Sequence, residues 1–251
     1  MNRRRAVTAV AAAAAAAGLL TAAPALAYLL PASAILRKAS ETRAGLELTA
    51  VEATGSLELR GAALAAGAPP TVTARLLVKT PARARLELLV ADAAEEERPA
   101  AMVKEGRLAG RGGLEQQPAV AALLRGLVTL LAWPPGADGQ ALGEALARRG
   151  VKLDEVSLGR FNGRLAWVLG GRLNDPKPPP LALIDKESWM PLRLLFAEGG
   201  ATYDLRFLDW NSAVGADRLP RVIEVWSGTE LLLRFSTEKT TANPRLADSL
   251  F

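Results

Sequence analysis

The stretch PAVAALLRGLVTLLAW, residues 118 to 133, constrains this chain more than any other. Pro118 suits a first helical turn, and Val120, Leu123, Leu124, Leu127, Leu130 and Leu131 recur at helical spacing with Arg125 as the sole charge. A helix that is apolar on nearly every side must be covered over most of its surface or touch lipid. An ordinary core helix meets that demand as well as a helix facing a ligand does. Pro134, Pro135 and Gly136 break the pattern, and DGQALGEALARRG then forms another helix with Asp138 as N-cap and Gly150 as terminator.

The cover has to come from strands. In GSLELRG, TARLLVKT and ARARLELLV the period is two, which sets Leu57 with Leu59, Leu76 with Val78, and Leu86 with Leu88 on one face and charges on the other. Strands return from Val151 in VKLDEVSLG, GRLAWVLGG, LALIDKESWMPLRLLF, ATYDLRFLDW, RLPRVIEVW and ELLLRFSTEK. Gly, Pro, Asn and Asp separate these short runs, as in an antiparallel meander, and the LALIDKESWMPLRLLF run is a hairpin about a tight polar turn. One face carries Leu165, Trp167 and Leu169, then Leu192, Leu194 and Phe196, Tyr203, Leu205 and Phe207, Ile223 and Val225, and Leu231, Leu233 and Phe235. A sheet of so many strands curls about its apolar face. Before the strands, PASAILRKASETRAGL reads as an amphipathic helix that starts at Pro31 and ends at Gly45 in a left-handed C-cap. The run Glu95, Glu96 and Glu97 lacks the alternating spacing and Gly turn of a cation loop and is expected to be a solvated loop.

The opening MNRRRAVTAVAAAAAAAGLLTAAPALA has three arginines, an uncharged apolar run and the small-residue exit Ala25-Leu26-Ala27. That is the pattern of a secretory signal peptide, with cleavage expected after Ala27 and export unfolded, leaving one domain from residue 28 to 251 in the periplasm. The chain has 31 basic and 26 acidic side chains, and without the three arginines of residues 1 to 27 only 28 basic ones remain. The basicity is therefore mostly that of the leader. The other arginines alternate with Leu and Glu and do not cluster with aromatics, so no nucleic-acid partner is expected.

Cys and His are both missing. This excludes disulfides, a lipidated N-terminal cysteine, Ser-His-Asp and Cys-His nucleophile systems and the usual zinc sites. Asp204, Asp209, Glu224 and Lys239 are the best candidates for carboxylate or lysine catalysis. Asp204 and Glu224 alternate out of phase with their apolar neighbours, however, which puts them on the outer face as paired surface charge, and Asp209 falls at a strand end. The expectation is no enzyme, no cofactor and no metal.

Helix, antiparallel strands, an apolar helical insertion and more strands behind a signal peptide together resemble the LolA-type family of periplasmic lipoprotein carriers, which includes RseB-like sensors. The residues that carry the likeness are LIDKESWMPLRLLF, YDLRFLDW followed by RLPRVIEVW, and the ending NPRLADSLF. The resemblance spans Tyr28 to Phe251 and implies an α+β fold, a strongly curved antiparallel sheet or incompletely closed barrel capped by helices around an apolar cavity. It also implies a monomeric chaperone-like carrier of lipoprotein acyl chains or lipid, with an inner-membrane donor and an outer-membrane acceptor as partners.

The sequence positions expected to line that cavity are Leu123, Leu124, Leu127 and Leu131 from the apolar helix, and Trp167, Leu194, Phe196, Tyr203, Leu205, Phe207, Leu233 and Phe235 from the strands. Removing a chain of about sixteen carbons from a membrane costs roughly 12 kcal/mol at about 0.8 kcal/mol per methylene. A shallow groove leaves too much of that uncompensated, whereas an enclosure does not. Two rivals stay open: an RseB-like sensor, which has a second C-terminal domain where this sequence stops at Phe251, and a cell-envelope protein with a filled core.

Overall fold

The computed structural model describes residues 29–60, 71–91, 93–134, 136–176 and 178–251. The expected leader, residues 1–27, and Pro135 of the break after the apolar helix lie outside the described residues. Helix α1 (Ala32–Ala44) leads into β1 (Ala50–Leu59), β2 (Thr71–Lys79), β3 (Arg83–Leu88), β4 (Ala100–Lys104) and β5 (Arg107–Arg111). A short 3₁₀ turn then enters α2 (Pro118–Leu130), followed by α3 (Gly139–Arg148). The second half is β6 (Val156–Phe161), β7 (Arg164–Leu169), β8 (Leu181–Asp185), β9 (Pro191–Glu198), β10 (Ala201–Leu208), β11 (Val222–Ser227) and β12 (Glu230–Ala242).

The twelve described strands form one antiparallel sheet in the order β5-β4-β3-β2-β1-β12-β11-β10-β9-β8-β7-β6. The two halves of the chain are joined where β1 pairs with β12, so the first and last strands are central and β5 and β6 are the free edges. Register aligns the apolar face across the joint. Leu57 pairs with Phe235, Phe235 with Ile223 and Ile223 with Phe207, while Leu59, Leu233, Val225, Leu205 and Leu194 form the next row.

The sheet curls around α2, and lengths show why it must. The helix touches β3 and β4 as well as β9 to β12. In a flat sheet the seven steps from β4 to β9 would span about 34 Å. A thirteen-residue helix is about 20 Å long. Only a strongly curved sheet brings both sets of strands to one helix, and the result is a barrel left open along the β5 and β6 edges.

Several local expectations need correction. Gly45 ends α1 with φ −61°, a right-handed conformation, and the left-handed residue after the helix is Glu47 at φ 50°. The apolar helix stops at Leu130, short of residue 133, because the chain turns at Leu131. Trp133 still donates its indole N–H to the Thr129 carbonyl at 2.9 Å. β6 begins only at Val156, so the VKLDE part of that run is not strand. Asp138 caps α3 as expected, accepting from the Ala141 N–H at 3.0 Å, and Gly150 ends it at φ 85°.

The hairpin β8–β9 shows that the outer face is partly covered too. All five residues of β8 are buried. Leu181 and Leu195 pair on the outer side, and the loop after β7 folds back so that Leu173 lies near Gly159 and Val168. The polar turn is fixed by Asp185, whose Oδ1 accepts from the backbone of Glu187 and Ser188 and whose Oδ2 meets Arg164 at 2.7 Å.

The ending NPRLADSLF is also tied down. Asn243 accepts from the Thr49 N–H at 2.8 Å, and the chain then crosses the outer face of β2 and β3. There Lys79 and Arg83 both meet Asp248 at 2.7 Å, Arg85 donates to the Leu250 carbonyl at 2.8 Å, and Phe251 is buried.

Candidate functional site

The structure places all twelve residues expected to line a cavity within the buried interior. Leu123, Leu124, Leu127, Leu131, Trp167, Leu194, Phe196, Tyr203, Leu205, Phe207, Leu233 and Phe235 are buried in one apolar cluster. α2 supplies one wall and the concave face of β7 and β9 to β12 the other. At the centre the two walls touch, because Gly126 leaves no Cβ between α2 and β10. An added Cβ would come within 2.1 Å of Leu205 Cδ2. The interior is largely hydrocarbon, and its polar groups include the Thr129 hydroxyl, the Tyr203 phenol and the Trp167 indole. Trp167 Nε1 has no hydrogen-bond partner, and Lys186 Nζ sits 5.6 Å from its ring centre.

Two crevices of about 10 Å³ each open from this interior on either side of Arg43. The first is lined by α1, the end of α2 and the β8–β9 turn at Trp189 and Pro191, and the second by Leu48, Val78, Leu131 and Leu219. Arg43 Nη1 donates to the carbonyls of Asp217 and Arg218 at 3.0 and 3.1 Å. Burial pulls its guanidinium down to about 10, with Asp217 acting the other way, so it stays cationic at neutral pH. A larger cleft of about 760 Å³ lies outside the barrel between α1 and α3, where Gly139 lets the two helices meet at the Leu36 and Arg37 backbone.

Sequence reasoning missed the charges at the rim. Arg125, alone on α2, pairs with Glu198 at the end of β9, and Arg149, just past α3, reaches the same carboxylate at 3.3 Å. The Arg149 guanidinium also lies 5.3 Å from the Phe196 ring centre, so the ion group abuts the apolar interior directly. Burial lowers the Arg149 pKa, and Arg125 and Arg148 lower it further. The available signal was Arg125 itself, a lone charge in an otherwise apolar helix.

Of the candidates for catalysis, Asp204 and Glu224 are neighbours on the outer face of β10 and β11, joined through Arg206 and Trp226 and each held by arginine. Asp204 is 4 % exposed and holds Arg193 and Arg206 at 2.6 and 2.7 Å on the outer face. Glu224, 5 % exposed, meets Arg234 at 2.6 Å and accepts from the Trp226 indole at 2.8 Å. Asp209 sits just beyond β10 at φ 56°, and Lys239 is exposed on β12. Among the described residues no group of three or more carboxylates could hold a metal ion, and no helix is long and apolar enough to cross a membrane.

No protein-family model and no curated protein matches the chain. Solved structures do. A LolA superfamily protein from Nitrosomonas europaea is 12 % identical with a TM-score of 0.47, over 89 % of this chain and 98 % of that one. A domain assigned to outer-membrane lipoprotein sorting, from Vibrio parahaemolyticus, is 13 % identical with a TM-score of 0.40, over 87 % of this chain and 96 % of that one. MucB in complex with MucA is 17 % identical with a TM-score of 0.30, over 85 % of this chain but 56 % of that one. At these identities the likeness concerns the fold alone.

Proposed function

We propose that this chain is an exported, non-enzymatic binding module that takes acyl chains of lipoproteins or lipids between α2 and the concave sheet. It carries them through the periplasm from an inner-membrane donor towards an outer-membrane acceptor. The supporting observation is the open seam: β5 and β6 each pair on one side only, so α2 can swing away without breaking a strand ladder.

Energies set the terms for exchange of helix for cargo. Leu123, Leu124, Leu127, Leu130 and Leu131 are all buried. At about 1.5–3 kcal/mol per leucine, uncovering them costs on the order of 10 kcal/mol. A sixteen-carbon chain gains roughly 12 kcal/mol on burial. Opening is thus strongly disfavoured without cargo and nearly offset by a chain taken from water, whereas a chain drawn from a membrane needs the donor to supply the difference. The residues in contact with acyl chain are the twelve that line the interior.

Native mass spectrometry of protein recovered from its own periplasm tests this. Retained lipid or lipoprotein in stoichiometric amount is the expected result, and ligand-free protein that takes up no fluorescent lipid would overturn it.

A further inference from the structure

The rim charges carry more than a structural role requires. Arg125 comes from α2, Arg149 from the turn after α3 and Glu198 from the end of β9, so three separate elements converge on one carboxylate. The group has excess positive charge, because two guanidinium groups share one acid and Arg148 stands close enough to weigh on Arg149. Beside it the Gly199–Gly200 turn leaves open space around both glycines. On its inner side is Phe196, fully buried in the apolar interior, with Arg149 over its ring. A cationic, hydrogen-bond-rich rim joined without a break to a hydrocarbon interior has the polarity profile of an anionic amphiphile.

We propose that Arg125 and Arg149 form a seat for a phosphate group, and that Glu198 is an internal carboxylate occupying the seat until a phosphate displaces it. Guanidinium groups suit this role because their planar donors match phosphate and carboxylate oxygens alike, and one anion can replace the other without rearranging the donors. The inference rests on the acyl-carrier reading in taking the phosphate to be the headgroup of the bound amphiphile. It adds that headgroup recognition takes Arg125, the single charge on α2, from Glu198 of β9 and so unties the helix from the sheet as cargo arrives.

The test compares pyrene-labelled phosphatidylglycerol, pyrene-labelled diacylglycerol and inorganic phosphate as probes of the purified protein. Phosphatidylglycerol should bind more tightly than diacylglycerol. Arg149→Gln and Arg125→Gln should each weaken phosphatidylglycerol roughly tenfold, the loss expected for one charge-assisted contact, while leaving diacylglycerol nearly unchanged. Glu198→Gln should tighten phosphatidylglycerol, since it removes the competing carboxylate. Diacylglycerol binding serves as the folding control within each variant. Equal affinities for the two lipids, or equal effects of the substitutions on both, together with no saturable binding of inorganic phosphate, would overturn the seat while leaving the carrier reading intact. Binding of neither lipid would overturn both. Saturable binding of inorganic phosphate that is lost in Arg149→Gln, with both lipids bound alike, would keep the phosphate seat and exclude the headgroup as its source.

Discussion

Gly126 and Leu205 meet where α2 crosses β10, and the helix lies so close to the sheet there that any side chain at position 126 would run into Leu205 Cδ2. Glycine within a helix ordinarily costs about 1 kcal/mol relative to alanine. Here it permits the contact. Gly126→Ala should therefore lower the melting temperature, because overpacking a full interior costs about 1–3 kcal/mol and exceeds the gain in helix propensity. Combined with Leu205→Ala, the same substitution should become stabilising. A Gly126→Ala protein more stable than wild type would mean that α2 is not pressed onto β10.

Leu205→Asp places a carboxylate in the middle of the apolar cluster, with no cation facing it from the strands paired on either side, Leu194 and Val225. An unpaired buried charge is costly against hydrocarbon, whether that hydrocarbon is protein or cargo. Stability and fluorescent-lipid uptake should both fall sharply. Retention of both would place Leu205 on the outer face, one residue out of register.

Asp204→Ala separates the outer face from the inner one. It strands Arg193 and Arg206, which are partly exposed, so the expected loss is about 1–3 kcal/mol by denaturant melting. Lipid affinity should not change. A large loss of lipid binding in a folded Asp204→Ala protein would show that the outer face takes part in cargo recognition.

The C-terminal strap should respond to acid. Hydrogen bonds and charge from Lys79 and Arg83 hold the Asp248 carboxylate below its ordinary value. A depressed folded pKa gives stability that is present above the unfolded value and lost as pH falls through the folded one. Protection of residues 244–251 against carboxypeptidase should thus be constant near neutrality and decline only below about pH 4, the range of an ordinary carboxylate. Asp248→Asn should show reduced protection already at pH 7, with the acid step gone and the two proteins converging in acid. If protection in the two proteins were identical at pH 7, the ion pairs would not be holding the strap.

The period-two face was legible in the sequence because alternation needs only one partner surface, and it put Leu57, Ile223 and Phe235 on apolar strand faces. The joining of β1 to β12 was not legible, since nothing local in either strand encodes a partner about 180 residues away. Arg149 and Glu198 escaped for the same reason: each is an ordinary surface charge in its own segment, and only the fold brings both to Arg125. The Gly45 expectation failed because the chain makes one more right-handed turn and takes its positive φ at Glu47, whose carbonyl Asn243 then caps at 3.1 Å. The burial of β8 on both sides was hidden as well, for Leu181 and Leu183 look like any strand residues in their own segment.

Hydrogen exchange across residues 118 to 130, measured with and without bound phosphatidylglycerol, tests the acyl-carrier account most directly. The account predicts that α2 opens locally, exchanging faster than β1 and β12 in the free protein and slowing when lipid binds. Exchange in α2 as slow as in the central strands without ligand, and unaffected by lipid, would contradict the account.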